Sequence, residues 1–389
     1  MADLLKDNFG PEMIERAAQT IGAVYGKFDG AGFSTMALDG FEELELTPRC
    51  RQIADSMAEF LPSDRQRAIG ILIDSLGPEL ENCDPAEASA IGDPWFDDNP
   101  MAGFFYMPHG YFLADHGEGH FDTVMLANYE ITKRATSEFS IRTPLRDHTD
   151  ATLGVLEGWA SDENVHVRRL VSEGTRPRLP WAFRLTVFQE NPEPVITLLD
   201  KLKDDPVEYV RRSVANNLND ITKDNPDVAI EVADRWWADG GKNRRRLVRH
   251  GLRTLIKAGH PGALEVLGYQ SPSPARVAES SIEPSKPSIG DKVHIEVTLA
   301  NPGPHTCRAL VDLKVHFVKS NGNTSPKVFK GAELEIAAGK SATVAKTVSL
   351  AQHTTRRHFP GDHVVEVMIN GQSMPLGSFE LAADPNPGS

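Results

Sequence analysis

The chain has 389 residues, which at roughly 100 to 200 residues per domain suggests two or three domains, each with a core of its own. Hydrophobic residues make up 40% and charged residues 25%, ordinary proportions that exclude global disorder and a disulfide-knotted peptide. The net charge of −14 does not exclude a polyanionic partner, because it is local: residues 1–133 hold 8 Lys and Arg against 24 Asp and Glu, residues 134–260 hold 21 against 19, and residues 261–389 hold 12 against 12.

The opening Met1-Ala2-Asp3-Leu4-Leu5-Lys6-Asp7 has no basic stretch leading into an apolar run. No later segment approaches the roughly 18 apolar residues of a bilayer span, so neither export nor membrane insertion is expected. The first third reads as helices at 11–26, 48–61, 63–76 and 121–139, with 93–119, rich in aromatics, Gly and Pro, left unassigned. His116-Gly117-Glu118-Gly119-His120 is not HExxH, and its two glycines argue against a ligand-bearing helix, so no metal is expected. Its H-x-E has no P-C-x-x-C to complete a zinc deaminase site. Glu138 falls at the end of the 121–139 helix, where an exposed surface glutamate is the plain reading.

The middle third repeats itself. Asp162-Glu163-Asn164-Val165-His166-Val167-Arg168-Arg169-Leu170-Val171 returns 43 residues later as Asp205-Pro206-Val207-Glu208-Tyr209-Val210-Arg211-Arg212-Ser213-Val214, and fainter after a further 34 as Asn243-Arg244-Arg245-Arg246-Leu247-Val248. Such periods belong to stacked helix pairs of the HEAT or armadillo type, with partner helices at 147–160, 193–203 and 227–238. Asp205, Pro206 and Glu208 read as N-cap, first helical residue and capping-box partner. On a helical wheel Val210, Val214, Leu218 and Ile221 share one face, and Tyr209, Arg212, Asn216 and Asp220 the opposite, solvent or ligand face. Arg169, Arg212 and Arg246 occupy equivalent positions, so stacking would align them as a ladder; an ordinary solvated face is the competing reading. Between the first two copies, Arg176-Pro177-Arg178-Leu179-Pro180-Trp181 is either a Pro-stiffened connector with Trp181 in the core or a turn offering phosphate and base contacts.

Composition changes near 270, where Ser271-Pro272-Ser273-Pro274 begins a linker expected over 270–280 between a helical domain at 1–269 and a β domain at 281–383. Alternating runs at 293–299, 313–318, 334–336, 342–344 and 363–367, with turns at Asn301-Pro302-Gly303 and Asn321-Gly322, suggest an immunoglobulin-like sandwich. Cys50, Cys83 and Cys307 are odd in number and widely spaced, which fits a reducing cytoplasm better than a disulfide framework. No GxSxG, Walker A loop or strand-borne GxGxxG is present.

Ser137 to Arg142, Val167 to Trp181, and Tyr209 to Ile221 closely resemble AlkC-type DNA alkylation repair glycosylases, members with AlkD-type enzymes of a HEAT-like repeat superfamily. Leu4 to Asp7, Ala37 to Leu46, and in the last third His316 to Lys319 and Thr324 to Phe329 extend the resemblance to the longer subgroup with an immunoglobulin-like extension. Ser140 departs from the pattern, and 93–119 aligns poorly. The resemblance implies a mainly α fold and a monomeric, cofactor-free enzyme that removes 3-methyladenine and 3-methylcytosine from double-stranded DNA without fully flipping the base. It implies catalytic roles for Glu138 and Asp220, with Trp181 at the lesion. DNA contacts are expected from Arg142, Arg169, Arg176, Arg178, Arg212, Asn216 and Arg246, and from Lys319 and Lys327 of the β domain, with Lys330, Arg356 and Arg357 beside them. The alternative from another class is a noncatalytic helical-repeat scaffold that binds protein.

Overall fold

Apolar side chains at three- and four-residue spacing make the first two-thirds of the chain helical. In chain order the helices are α1 (Pro11–Val24), α2 (Gly30–Leu38), α3 (Leu46–Phe60), α4 (Arg65–Asp74), α5 (Met107–His116), α6 (Phe121–Thr132), α7 (Arg142–Asp147) and α8 (Thr149–Trp159). There follow α9 (Val165–Gly174), α10 (Thr186–Glu190), α11 (Glu193–Leu202), α12 (Glu208–Ile221), α13 (Pro226–Ala238), α14 (Lys242–Gly251), α15 (Arg253–Ala258) and α16 (Pro261–Val266). This computed structural model describes residue 6 and residues 9–89, 102–352 and 357–382. Residues 93–101 of the unassigned segment, Leu4, Leu5 and Asp7 of the opening motif, and Arg356 lie outside the described residues. Among the described residues no helix is long and apolar enough to cross a membrane.

Two compact units emerge: residues 1–232 with 240–251, and residues 233–239 with 252–389. In the first unit, Met13, Ile14, Ala17 and Ile21 of α1 turn one stripe inward onto a core with Phe33, Ile53, Met57 and Phe112. The repeat helices α9, α12 and α14 lie side by side, α9 against α12 and α12 against α14, with α8 and α11 against α9. Gly251 permits the second of these approaches, since a Cβ there would press on Leu218 at 2.8 Å. Polar rungs join successive copies: Asn217 Nδ2 donates to the Ser172 carbonyl at 2.7 Å, and Arg168 holds Asp205 at 2.6 and 3.2 Å.

The repeat boundaries differ from expectation in one respect. Helix α12 starts at Glu208 behind Val207, not at Pro206 behind Asp205. Asp205 instead accepts from the Val207 amide and from Arg168, so its carboxylate is spent on a turn and on the neighbouring repeat. Asn164 does act as an N-cap, accepting from His166 and Val167 at the start of α9.

In the second unit, strands β1 (Arg276–Glu283), β2 (Lys292–Ala300), β3 (Cys307–Val318), β4 (Thr324–Ile336), β5 (Ser341–Ser349), β6 (Gly361–Ile369) and β7 (Gln372–Leu381) form antiparallel sheets ordered β1-β2-β5 and β4-β3-β6-β7. Val293, Ile295, Val297 and Leu299 alternate inward from β2 toward Leu313, Val315, Val365 and Val367, the core of an immunoglobulin-like sandwich. Strand β1 takes up the second half of the segment expected as linker, and the start of that segment is tied to the β6–β7 turn. Asn370 Nδ2 donates to the Gln270 carbonyl at 2.7 Å, and Tyr269 Oη donates to Glu333 at 2.8 Å. Trp237, Ile256, Leu264, Leu267 and Tyr269 pack on Leu310 of β3, so the last helices belong with the sandwich and not with the repeats.

Candidate active site

The turn between α6 and α7 carries Glu138. Helix α6 stops at Thr132, seven residues short of the expected end, because Ser137 and Ser140 hydroxyls take the Asn128 carbonyl and side chain at 3.0 and 2.6 Å. Glu138 is thereby in a turn, where its Oε2 accepts from Thr136 Oγ1 at 2.9 Å and from Arg169 at 2.6 Å. Its Oε1 has no hydrogen-bond partner among the described residues. The carboxylate lines a 380 Å³ cavity with Phe104, Phe139, His166 and Tyr209.

From Glu138 a chain of alternating charges runs through the first unit. Arg169 reaches Glu173 at 3.6 Å, Arg176 holds Glu173 at 2.6 Å and Asp220 at 2.8 Å, and Lys223 closes on the other Asp220 oxygen at 2.8 Å. Ser213 donates to Glu173 at 2.6 Å, and Tyr209 lies under the Arg169 guanidinium at 5.3 Å. Burial alone would push the Glu173 carboxyl up, but Arg169 and Arg176 outweigh it and hold the group below the usual range. The same pairing keeps Arg169 and Arg176 charged despite their burial. Glu173 went unmarked in the sequence, although Arg169-x3-Glu173-x2-Arg176 is the spacing at which helical neighbours meet.

The expected polar face of α12 is only partly a surface. Tyr209 and Asn216 are half-buried and Arg212 is exposed, but Asp220 is 1% exposed. The wheel places Asp220 opposite the apolar stripe correctly; the connector after α9 covers it, because Arg176 folds down to pair with it. The arginine ladder is likewise uneven. The side chains of Arg212 and Arg246 are 67% and 70% exposed around Glu208, whereas that of Arg169 is 16% exposed and committed to carboxylates.

Three further arginines also turn inward. Arg142 is fully buried and donates to the carbonyls of Gly174, Arg176 and Phe183, at 2.5 to 3.1 Å. This corrects its expected place at a phosphate: burial, with Arg176 nearby, pulls its guanidinium down to about 10, and its donors are spent on the chain. Arg176 sits between Glu173 and Asp220, and Arg178 pairs with Asp224 at 2.5 and 2.7 Å, so neither is a free cation on an open turn.

What that clamp presents is Trp181. It is 72% exposed and adopts φ of 63°, a conformation unfavourable for a bulky residue and worth a functional explanation. The core-plug reading is therefore wrong. Trp181 borders a second cavity, of 250 Å³, whose wall includes Phe139, the neighbour of Glu138. Lys319 and Lys327 belong to the second unit, on strands β3 to β4 and their turn, Lys327 lying 5.1 Å over Phe329. No three of His, Cys, Asp and Glu gather to hold a metal among the described residues.

Residues 276–383 match the family model for the uncharacterised protein YhaZ, C-terminal Ig-like domain. YhaZ of Bacillus subtilis is 31% identical over 382 residues, covering 98% of this chain and all of that protein. The Pseudomonas fluorescens alkylpurine DNA glycosylase AlkC, solved bound to DNA containing an abasic site analog, is 34% identical and superposes with a TM-score of 0.81 over 98% of this chain and all of its own. The chain belongs to the AlkC-type family, in the longer subgroup with a C-terminal immunoglobulin-like domain.

Proposed function

We propose that this protein is a DNA glycosylase of alkylation repair that releases cationic N3-alkylated bases, 3-methyladenine and 3-methylcytosine, without swinging the base fully out of the duplex. The observation that carries the reading is the exposed indole of Trp181, at a left-handed backbone position in a turn whose flanking carbonyls buried Arg142 holds, together with Glu138 and Asp220 joined through one ion-pair network, in a chain alike over its full length to AlkC. N3-alkylation makes the base a cation, so it leaves with the electron pair of the C1′–N bond without first being protonated. The remaining task is to stabilise positive charge developing on the deoxyribose and to deliver water to C1′.

The two carboxylates suit different parts of that task. Asp220 has both oxygens engaged, by Arg176 and Lys223, and acts through its field. Glu138 Oε1, which has no hydrogen-bond partner among the described residues, orients the attacking water and takes its proton. The Trp181 face adds roughly 0.5 to 2 kcal/mol by attracting the cationic base.

The test is single-turnover release of methylated base from an alkylated duplex by purified protein in excess. Release at a rate well above the spontaneous one is expected. Saturable DNA binding without release would overturn the reading and leave a noncatalytic scaffold.

A further inference from the structure

Three of the arginines expected at DNA contacts are committed within the chain. Arg142 is sealed on carbonyls, Arg176 lies between two carboxylates, and Arg178 is locked to Asp224. The 250 Å³ cavity at Trp181 supplies two others, from elements distant in sequence: Arg51 of α3 and Arg146 of α7.

Both side chains are 56% exposed. Each is steered by one carboxylate, Arg51 Nε at 3.2 Å from Asp115, and Arg146 Nε and Nη2 at 2.6 and 2.7 Å from Asp147. Each also lies against an aromatic ring, Arg51 at 5.3 Å from Tyr111 and Arg146 at 5.3 Å from Phe183. A guanidinium has five N–H donors, so these contacts fix the plane of each group and leave donors over. Arg51 is out of character for its region, where 8 cations face 24 anions; its sequence neighbour Arg49 is buried on the carbonyls of Lys6, Phe9 and Leu44. The cavity thus joins two oriented cations, the Thr143 hydroxyl and exposed aromatic surface from Trp181 and Phe183.

We propose that this cavity is a phosphodiester subsite, in which Arg51 and Arg146 hold the backbone of the DNA strand next to the base that meets Trp181. The choice of DNA rests on the glycosylase reading; the chemistry of oriented guanidinium groups beside aromatic rings rests on the structure alone. An oxyanion takes paired N–H donors from planar guanidinium groups, and the adjoining sugar and base find apolar faces.

The experiment measures binding of the full chain to an undamaged duplex and to one containing a stable abasic analogue, across a salt series. Arg51→Gln and Arg146→Gln should each weaken both complexes about fivefold and make the log–log salt dependence shallower by about 0.9, the loss of one phosphate contact. Arg51→Lys and Arg146→Lys keep the charge and should keep the slope, which separates the subsite from any effect on folding. Parent-like affinity and slope in both Gln variants would overturn the subsite even if the protein proves to be a glycosylase. Loss of slope in a protein that releases no base would uphold the subsite and overturn the glycosylase reading.

Discussion

Arg176 donates from Nε to Asp220 across 2.8 Å while its Nη1 holds Glu173 at 2.6 Å, so a single guanidinium ties the far carboxylate to the network that ends at Glu138. The charge of Asp220 is shared with Arg176 and Lys223. A bare carboxylate 4 Å from a unit cation is worth roughly 4 kcal/mol at an effective dielectric of 20. The partners offset part of this, so Asp220→Asn should slow base release by about a hundredfold. DNA affinity should hold or rise, because Arg176 and Lys223 gain net charge. Glu138→Gln should act in the same direction, and the double variant should fall short of the product of the two. Single-turnover rates at saturating DNA check this; a parent-like rate for folded Asp220→Asn removes Asp220 from the chemistry.

Arg142 is a clamp, and its loss should be felt first as stability. Arg142→Ala leaves three carbonyls without their donor, two of them held by fully buried Nη1, and should cost roughly 3 kcal/mol in urea denaturation. Arg142→Lys should not restore it, since an ammonium cannot span the three acceptors. Salt dependence of DNA binding should be that of the parent in any variant that remains folded.

The three equivalent arginines should part ways. Arg212→Ala and Arg246→Ala remove exposed cations and should make the salt dependence of DNA binding shallower by about 0.9 each, with unchanged melting. Arg169→Ala takes from Glu138 its cation and leaves Glu173 to Arg176 and Ser213, and should lower the melting temperature. Equal effects of all three on the salt slope would contradict the buried network.

His109 on α5 is buried against Phe105 and Tyr106, and neither ring nitrogen has a hydrogen-bond partner among the described residues. Burial pulls its imidazole down from 6.5 to about 4. Between those values the unfolded chain binds the extra proton, so the stability from His109 is present above pH 6.5 and is lost as pH falls toward 4. The loss is on the order of 3 kcal/mol. Denaturation at pH 7 and pH 4.5 should show a steeper acid-side loss for the parent than for His109→Leu.

The repeats were legible because each carries its own signal, an apolar stripe with a paired Arg-Arg, and the strands of 293–299 and 363–367 because they alternate strictly. The signal for β7 was also there: Asn370-Gly371 have φ of 46° and 79°, the left-handed pair of a tight hairpin turn. Nothing local marked which cations face solvent. Arg142, Arg169 and Arg176 look like surface residues until the carbonyls and carboxylates they serve arrive from positions up to 44 residues away. Arg51 and Arg146 were missed for the converse reason: the cavity that gives them meaning forms only when α3, α5, α7 and the Trp181 turn meet.

Gly259, at the end of α15, and Gly371, in the β6–β7 turn, face each other so closely that a Cβ on either would collide with the backbone of the other, and both have positive φ. The seam at which this sandwich could be exchanged between related chains therefore does not lie at the first strand. A graft made at residue 276 would inherit one glycine of the pair and borrow the other from its host, and it would join a foreign sheet to helices shaped for Leu310. A graft that keeps 252–382 intact moves the contact as a whole, which makes the short helices part of what is heritable with the immunoglobulin-like domain.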